Sequence, residues 1–224
     1  MHKPLAKLSA TPPNRIMAKD PSLDAAYALE TPEDSKQLYA AWADSYDSDF
    51  ARNSDYILHE AVARHFVNIG GFGPVLDVGA GTGLCGAALR ARGIEDIDGT
   101  DISADMLEVA KAKGIYRTIR VENLFDGLAT PHGLYQGAVS SGTFTNGHVG
   151  PEGLHPLIAA VRLGGRVVIS VNTKHYAAAG FEHQLAELET DIEDLTTTEV
   201  AIYGPSATGD HAKDTALLVA FRRA

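Results

Sequence analysis

The stretch VLDVGAGTGLCG, residues 75–86, places Asp77 two positions ahead of Gly79, with Gly81 and Gly83 following. A β-rich run that breaks into a glycine turn and then a helix brings backbone N–H groups close to a ligand. The spacing is G-x-G-x-G. A dinucleotide fingerprint needs its third glycine where Leu84 stands, and a phosphate loop needs a lysine followed by serine or threonine, which these glycines lack. A carboxylate at the mouth of the turn opposes a pyrophosphate and suits a cation such as an α-amino group. Further along, DIDGTD ends on Asp101. At the tip of a second strand a short carboxylate can accept hydrogen bonds from both hydroxyls of a ribose. The two acids together imply a ligand with a ribose at one end and an ammonium at the other, its carboxylate left for the amides that open the following helix.

The pattern around these residues predicts the scaffold that holds them. From residue 74 the chain alternates: PVLDVG, DIDGTD, YRTIRVEN, LYQGAVSSG, RVVISVN, TTTEVAIYG and TALLVAFRR read as strands, the fifth buried on both faces. GTGLCGAALRARG, SADMLEVAKAKG (opened by Ser103), PEGLHPLIAAVRLGG and HYAAAGFEHQLAELETDIEDL read as helices. This predicts an α/β fold: a Rossmann-like, seven-stranded, mostly parallel sheet with helices on both faces and an antiparallel C-terminal strand. Two helical stretches precede the glycine turn. One starts at Thr31-Pro32-Glu33-Asp34, an N-cap, a proline and two acids in order; the other is YILHEAVARHFVNIG. Residues 31–70 are expected to form a helical lid on a single domain covering 31–224, and residues 1–30 a flexible arm.

DVGAGTG followed by GTDISADMLEVAKAKG resembles the first two motifs of the class I S-adenosylmethionine-dependent methyltransferases. S-adenosyl-L-methionine carries both the ribose and the ammonium that the two acids call for. LYAAWADSYDSDF and SSGTFTNGHVGPEGL are more narrowly similar to the methyltransferase-like group that includes the protein of the Williams–Beuren region. The resemblance implies that Asp101 binds the ribose, that Met106 lies against the adenine, and that Glu122 or Asn123 meets the adenine amino group. Ala80, Ile102, Leu124 and Ser140 complete the expected cofactor set with Asp77 and the three glycines. It also implies that Tyr46 closes over the sulfonium as a lid residue, and that the loop after the fourth strand faces the methyl group. In that loop Thr143, Phe144, Asn146 and His148 are the expected substrate contacts, and His148 is a candidate general base. Tyr39, Trp42 and Tyr46 share one helical face, and Trp42 is expected to pack in the core.

The bulk numbers bound the partners. With 224 residues, 45% hydrophobic and 21% charged, the chain is a globular domain. Nineteen basic against 29 acidic residues give a net charge of −10, which repels nucleic-acid backbones and anionic membranes. The single cysteine, Cys85, excludes an intrachain disulfide and a multi-thiolate metal site. HEAVARH starts at His59 but has Ala63 where a zinc-binding helix needs its second histidine, so no metal is expected. No apolar run is long enough to span a bilayer and no secretory leader is evident, so a cytoplasmic monomer or homodimer acting on a small-molecule methyl acceptor is the expectation. Two alternatives stand beside it: a non-catalytic S-adenosylmethionine-binding regulatory protein, and an NAD-dependent oxidoreductase with an unusual turn.

Overall fold

The computed structural model describes residues 21–29 and 31–224. Seven strands form one sheet: β1 (Val75–Val78), β2 (Ile97–Asp101), β3 (Thr118–Val121), β4 (Tyr135–Phe144), β5 (Val161–Asn172), β6 (Ile192–Ala201) and β7 (Thr215–Arg223), in the order β3-β2-β1-β4-β5-β7-β6. The pairs β3-β2, β2-β1, β1-β4 and β4-β5 are parallel, and β7 runs antiparallel to both β5 and β6. The last strand thus inserts between its two predecessors rather than adding to the edge. The order reverses beside β1, so the β1–β4 boundary is the switch point where an open α/β sheet leaves a crevice at its carboxyl edge.

Alternating residues supply two cores. Val75 of β1, Val168 of β5 and Ala216, Leu218 and Ala220 of β7 face one apolar cluster, which contains Val62 and Phe66 from α3 (Leu58–Asn68) and Ala88 and Leu89 from α4 (Leu84–Arg90). Leu76, Val167, Ile169 and Phe221 face the other, with Leu154, Leu157 and Ile158 from α6 (Leu154–Ala160) and Phe181 and Leu185 from α8 (Phe181–Glu187). Helices therefore cover both faces, as a parallel sheet requires. Between β2 and β3, α5 (Ala104–Ala112) is capped by Ser103, whose Oγ accepts from the Met106 N–H.

The chain before β1 forms α1 (Leu23–Tyr27), α2 (Pro32–Trp42), a π-helical segment at Tyr46–Arg52 and α3. Thr31 caps α2 by accepting from the Asp34 N–H at 3.2 Å, and Pro32 opens the helix. The expected arm of residues 1–30 falls partly outside the described residues. Its last part holds α1, with Ala25 and Leu29 buried. Asp55 fastens this lid to the sheet: its carbonyl accepts from Gly204 N–H at 2.7 Å and its carboxylate accepts from the Ser206 N–H and hydroxyl.

Two expected boundaries move. The helix through PEGLHPLIAAVRLGG stops at Ala160, because Val161 turns extended and pairs with Tyr135 at the start of β5. The Arg223 guanidinium donates to the carbonyls of Ile158, Ala159 and Val161 that end this helix. The helix read through DIEDL breaks as well: α7 (Thr173–Ala179) and α8 are separate, and residues 192–195 belong to β6. A bulge between Glu193 and Thr196, with Asp194 at φ +57°, puts its acids on Arg222 of β7.

Candidate active site

A cleft at the carboxyl ends of β1, β2 and β4 holds about 1050 Å³ of empty space, mouth included. That is enough for a nucleoside-sized ligand. Its floor is the glycine turn. The N–H groups of Gly79 and Ala80 both donate to the Thr100 carbonyl, binding the turn to the neighbouring strand. Gly79 sits at φ +70°, and any Cβ there would collide with the Thr143 hydroxyl, so the β4 tail can close on the turn only over a glycine. A Cβ at Gly81 would meet nothing within 4 Å: the space above it is the cleft. Gly83, by contrast, is the left-handed N-cap of α4 and does not line the cleft.

Asp101 ties the turn to the tip of β2. One carboxylate oxygen accepts from the Gly81 N–H and the other from the Ser103 N–H, each at 2.8 Å. Burial pushes its pKa up while those N–H donors pull the other way. Beside it, Ile102, Met106, Glu122, Asn123 and Leu124 line the same end of the cleft, joined by Phe125 and Leu128. Glu122 is tethered on both oxygens, accepting from the Thr100 hydroxyl at 3.0 Å and the Ala129 N–H at 3.2 Å. Asn123 spends its amide oxygen on the Phe125 N–H, capping the short turn Leu124–Asp126.

Asp77 departs from expectation. It is fully buried and is not among the described residues that line the cleft. Its Oδ2 accepts from the Tyr116 hydroxyl at 2.7 Å, and its Oδ1 is buried without a partner among the described residues. Burial, and then the nearby charge of Asp101, outweigh the Tyr116 bond and push its pKa up to about 7. Tyr116 crosses the start of α4 above Gly86, where a Cβ would stand 2.6 Å from the ring. The acid braces the underside of the turn instead of facing a ligand across it. Ser140 is displaced in the same way. Its hydroxyl is buried and donates to the Val78 carbonyl at 2.7 Å, so the next residue in the strand, Ser141, faces the cleft.

The lid and the β4 tail close the other end with Tyr39, Tyr46, Tyr56, His59, Ser141, Thr143 and His148. Of the four expected loop contacts, Thr143 and His148 reach the cleft. Phe144 is wholly buried, edge-on to Phe181, and Asn146 is exposed and offers only its carbonyl to His148. That carbonyl fixes the tautomer. A carbonyl can only accept, so His148 Nδ1 carries the proton and Nε2 accepts from the Tyr39 hydroxyl at 3.1 Å. Burial holds the His148 pKa below the ordinary histidine range, so the ring is neutral at pH 7. Burial raises the tyrosines: Tyr39 and Tyr56 stay protonated at any physiological pH, and Tyr46 likewise. Tyr46 lies edge-on to Tyr39 and to Trp42, with ring centroids at 6.0 and 5.3 Å, and Trp42 is buried beneath. Cys85 also lines the cleft, its thiol pKa pushed well up by burial.

Tyr116, Tyr56, His59 and Ser141 were not expected at the site. Ser141 could have been found from strand alternation against its buried neighbour. Tyr116, 39 residues from its partner Asp77, carries no local signal.

Comparison with known proteins agrees with this fold. Residues 75–163 match the family model of the methyltransferase domain. The chain is 31% identical over 157 residues to human methyltransferase-like protein 27; the match covers 66% of this chain and 62% of that protein, somewhat less than two thirds of its length. Among solved structures, the TehB-like S-adenosylmethionine-dependent methyltransferase of Corynebacterium glutamicum superposes with a TM-score of 0.55 at 19% identity, covering 87% of this chain and all of that one. The tRNA (m1A58) methyltransferase of Aquifex aeolicus superposes at 0.53 and 16% identity, covering 74% of this chain and 68% of that one. At such identities these two establish the fold and nothing about the acceptor. Family match, homologous relative and fold converge: residues 75–163 carry a methyltransferase domain, set in the sheet of the class I S-adenosylmethionine-dependent methyltransferase fold.

Proposed function

We propose that this protein transfers a methyl group from S-adenosyl-L-methionine to a small-molecule acceptor, and that it belongs with the methyltransferase-like group its narrower motifs resemble. The observation that carries the reading is Asp101. Its carboxylate is lashed to the glycine turn by Gly81, at the edge of a cleft that is open above that turn. The donor fits the residues present. Asp101 has lone pairs left for the ribose hydroxyls, Met106, Ile102 and Leu124 give apolar walls for the adenine, and Glu122 and Asn123 stand at its polar edge. The Asp101 carboxylate at the edge of the cleft favours a cationic ligand over a pyrophosphate.

When bound, the donor supplies a methyl group already activated by the positive charge on sulfur. What remains for the protein is alignment and exclusion of water. Tyr39, Tyr46 and Tyr56 do the second, presenting rings rather than charges to the reacting end, and ring faces also suit a cation. For an acceptor that must lose a proton, neutral His148 takes the Tyr39 hydroxyl proton on Nε2, leaving the Tyr39 oxygen to receive the acceptor's.

A direct test incubates the protein with donor labelled in its methyl group and the low-molecular-weight fraction of a cell extract. Label entering a product below about 1 kDa in size, and not in Asp101→Ala, is the expected result. Label entering only RNA or protein, with nothing small modified, would contradict the acceptor class.

A further inference from the structure

A second cavity of about 600 Å³, mouth included, lies behind the lid-side wall of the cleft. Tyr39, Tyr46, Tyr56, Gly142 and His148 line both spaces, so they form the partition between them. Two properties define the rear cavity. Its lining is rich in aromatic rings, with Tyr27, Trp42, Phe50 and Tyr203 beyond the partition. Among the described residues, none that lines it is Asp, Glu, Lys or Arg. Its polar groups are neutral: Ser170, which accepts from the Gly142 N–H at 2.9 Å, Asn172, Thr145 and the uncharged His148.

We infer that this rear cavity is the acceptor pocket and that its ligand is a small, uncharged aromatic compound carrying one methylatable polar group. The inference rests on the methyl-donor reading of the front cleft. A carboxylate or phosphate placed here is desolvated with no cation among the lining residues to pair it. An ammonium group finds rings to suit it but no carboxylate, and it sits across a thin partition from a cationic donor in a low-dielectric interior. A neutral ring meets neither cost, and the edge-on arrangement of Trp42 against Phe50, centroids 5.4 Å apart, offers the stacking geometry such a ring uses. The acceptor's polar group then points at the partition, toward the Tyr39–His148 pair and the Tyr56 hydroxyl packed over Gly142.

Trp42 is the only tryptophan in the chain and lines the rear cavity alone of the two, so its emission reports on that cavity. The test titrates the full chain, saturated with S-adenosylhomocysteine, against three isosteres at pH 7.4: 4-methylphenol, 4-methylbenzoate and 4-methylbenzylamine. Excitation is at the red edge of the tryptophan band. A saturable shift of Trp42 emission with the phenol, and binding at least roughly ten-fold weaker for both ions, is the expected result. Ala26→Phe, which fills the cavity from the half-buried lid helix α1, should abolish the phenol response while calorimetric affinity for S-adenosylhomocysteine stays within about two-fold, which also shows that the variant is folded. Equal or tighter binding of either ion, or no saturable phenol response in protein that binds S-adenosylhomocysteine, would overturn the inference. Absence of any S-adenosylhomocysteine binding would instead overturn the donor reading and the acceptor role with it.

Discussion

The two ends of the site are built on opposite plans. The β2 end sets its polar groups as carboxylates among apolar walls: Asp101, which closes β2, and Glu122, just past β3, are each held by fixed donors at the carboxyl edge of one sheet. The lid end consists of rings on helices and a strand tail, tyrosines and a neutral histidine, with the nearest carboxylate of the site turned away beneath the turn. A donor common to a whole family calls for the first plan, because the polar pattern of its nucleoside never changes. An acceptor specific to one enzyme calls for the second, where shape and the exclusion of charge do the selecting.

The sharpest way to break that contrast is Asp101→Ala. Two hydrogen bonds to a charged group are lost together with the anchor of Gly81, and affinity for S-adenosylhomocysteine should fall at least about 100-fold by calorimetry. A comparable loss from a lid-end substitution would erase the distinction between the ends.

Asp77→Asn comes next, because it separates bracing from ligand binding. With a folded-state pKa near 7, well above its unfolded value, the native state holds a proton that the unfolded chain gives up. The stability contributed by that proton is complete at pH below about 4 and is lost as pH rises toward and through 7. Asparagine removes the dependence and can still accept from Tyr116. The variant should be more stable than the parent by about 4 kcal/mol at pH 8, by a bit under half of that at pH 5, and indistinguishable from it below about pH 4, by urea midpoint. A destabilised variant at pH 8 would mean that the ionised acid is the form the fold prefers.

At the lid end, Tyr39→Phe keeps the ring and removes the hydroxyl that bridges to His148. Turnover should drop roughly ten-fold with cofactor affinity unchanged. His148→Ala should spare affinity likewise. In the parent, kcat should be level from pH 7 to 8 and decline only below the ordinary histidine range, since the lowered His148 pKa keeps the base form populated down to there. The smallest effect belongs to the clasp over the turn, where Lys113 contacts both the Asp47 carboxylate and the Thr82 carbonyl, and Thr82 donates to Asp47 at 2.5 Å. The Lys113–Asp47 pair is partly exposed, so Lys113→Ala should cost less than about 1 kcal/mol of stability and reveal itself mainly as faster, salt-insensitive cofactor release.

The same contrast explains how far the sequence could be read. The β2 end is local: glycine turn, strand tip and helix cap lie within VLDVGAGTG and GTDISADM, so strand period and capping residues suffice to bring Gly79, Gly81, Asp101 and Met106 together, and all four line the cleft. Asp77 and Ser140 go astray because alternation along a buried strand decides which way a side chain points, and a spacing argument alone does not fix that face. The lid end gathers Tyr39, Tyr56, Ser141, Asn172 and Tyr203 from five separate segments, and no spacing within one segment brings them together. The chain termini of the fold behave likewise. TALLVAFRR is delimited correctly as a strand, yet its insertion between β5 and β6 follows from sheet pairing, and the acids of DIEDL leave the helical pattern because Arg222 of that strand draws them into a bulge.

The central claim is that the cleft over the tips of β1 and β2 holds a cationic nucleoside through Asp101. It is tested most directly by calorimetric titration of parent and Asp101→Ala protein with S-adenosylhomocysteine and, separately, with NADH. The account predicts saturable binding of S-adenosylhomocysteine to the parent, its loss in the variant, and no heat from NADH with either. Binding of NADH by the parent, or undiminished S-adenosylhomocysteine affinity in the variant, would contradict it.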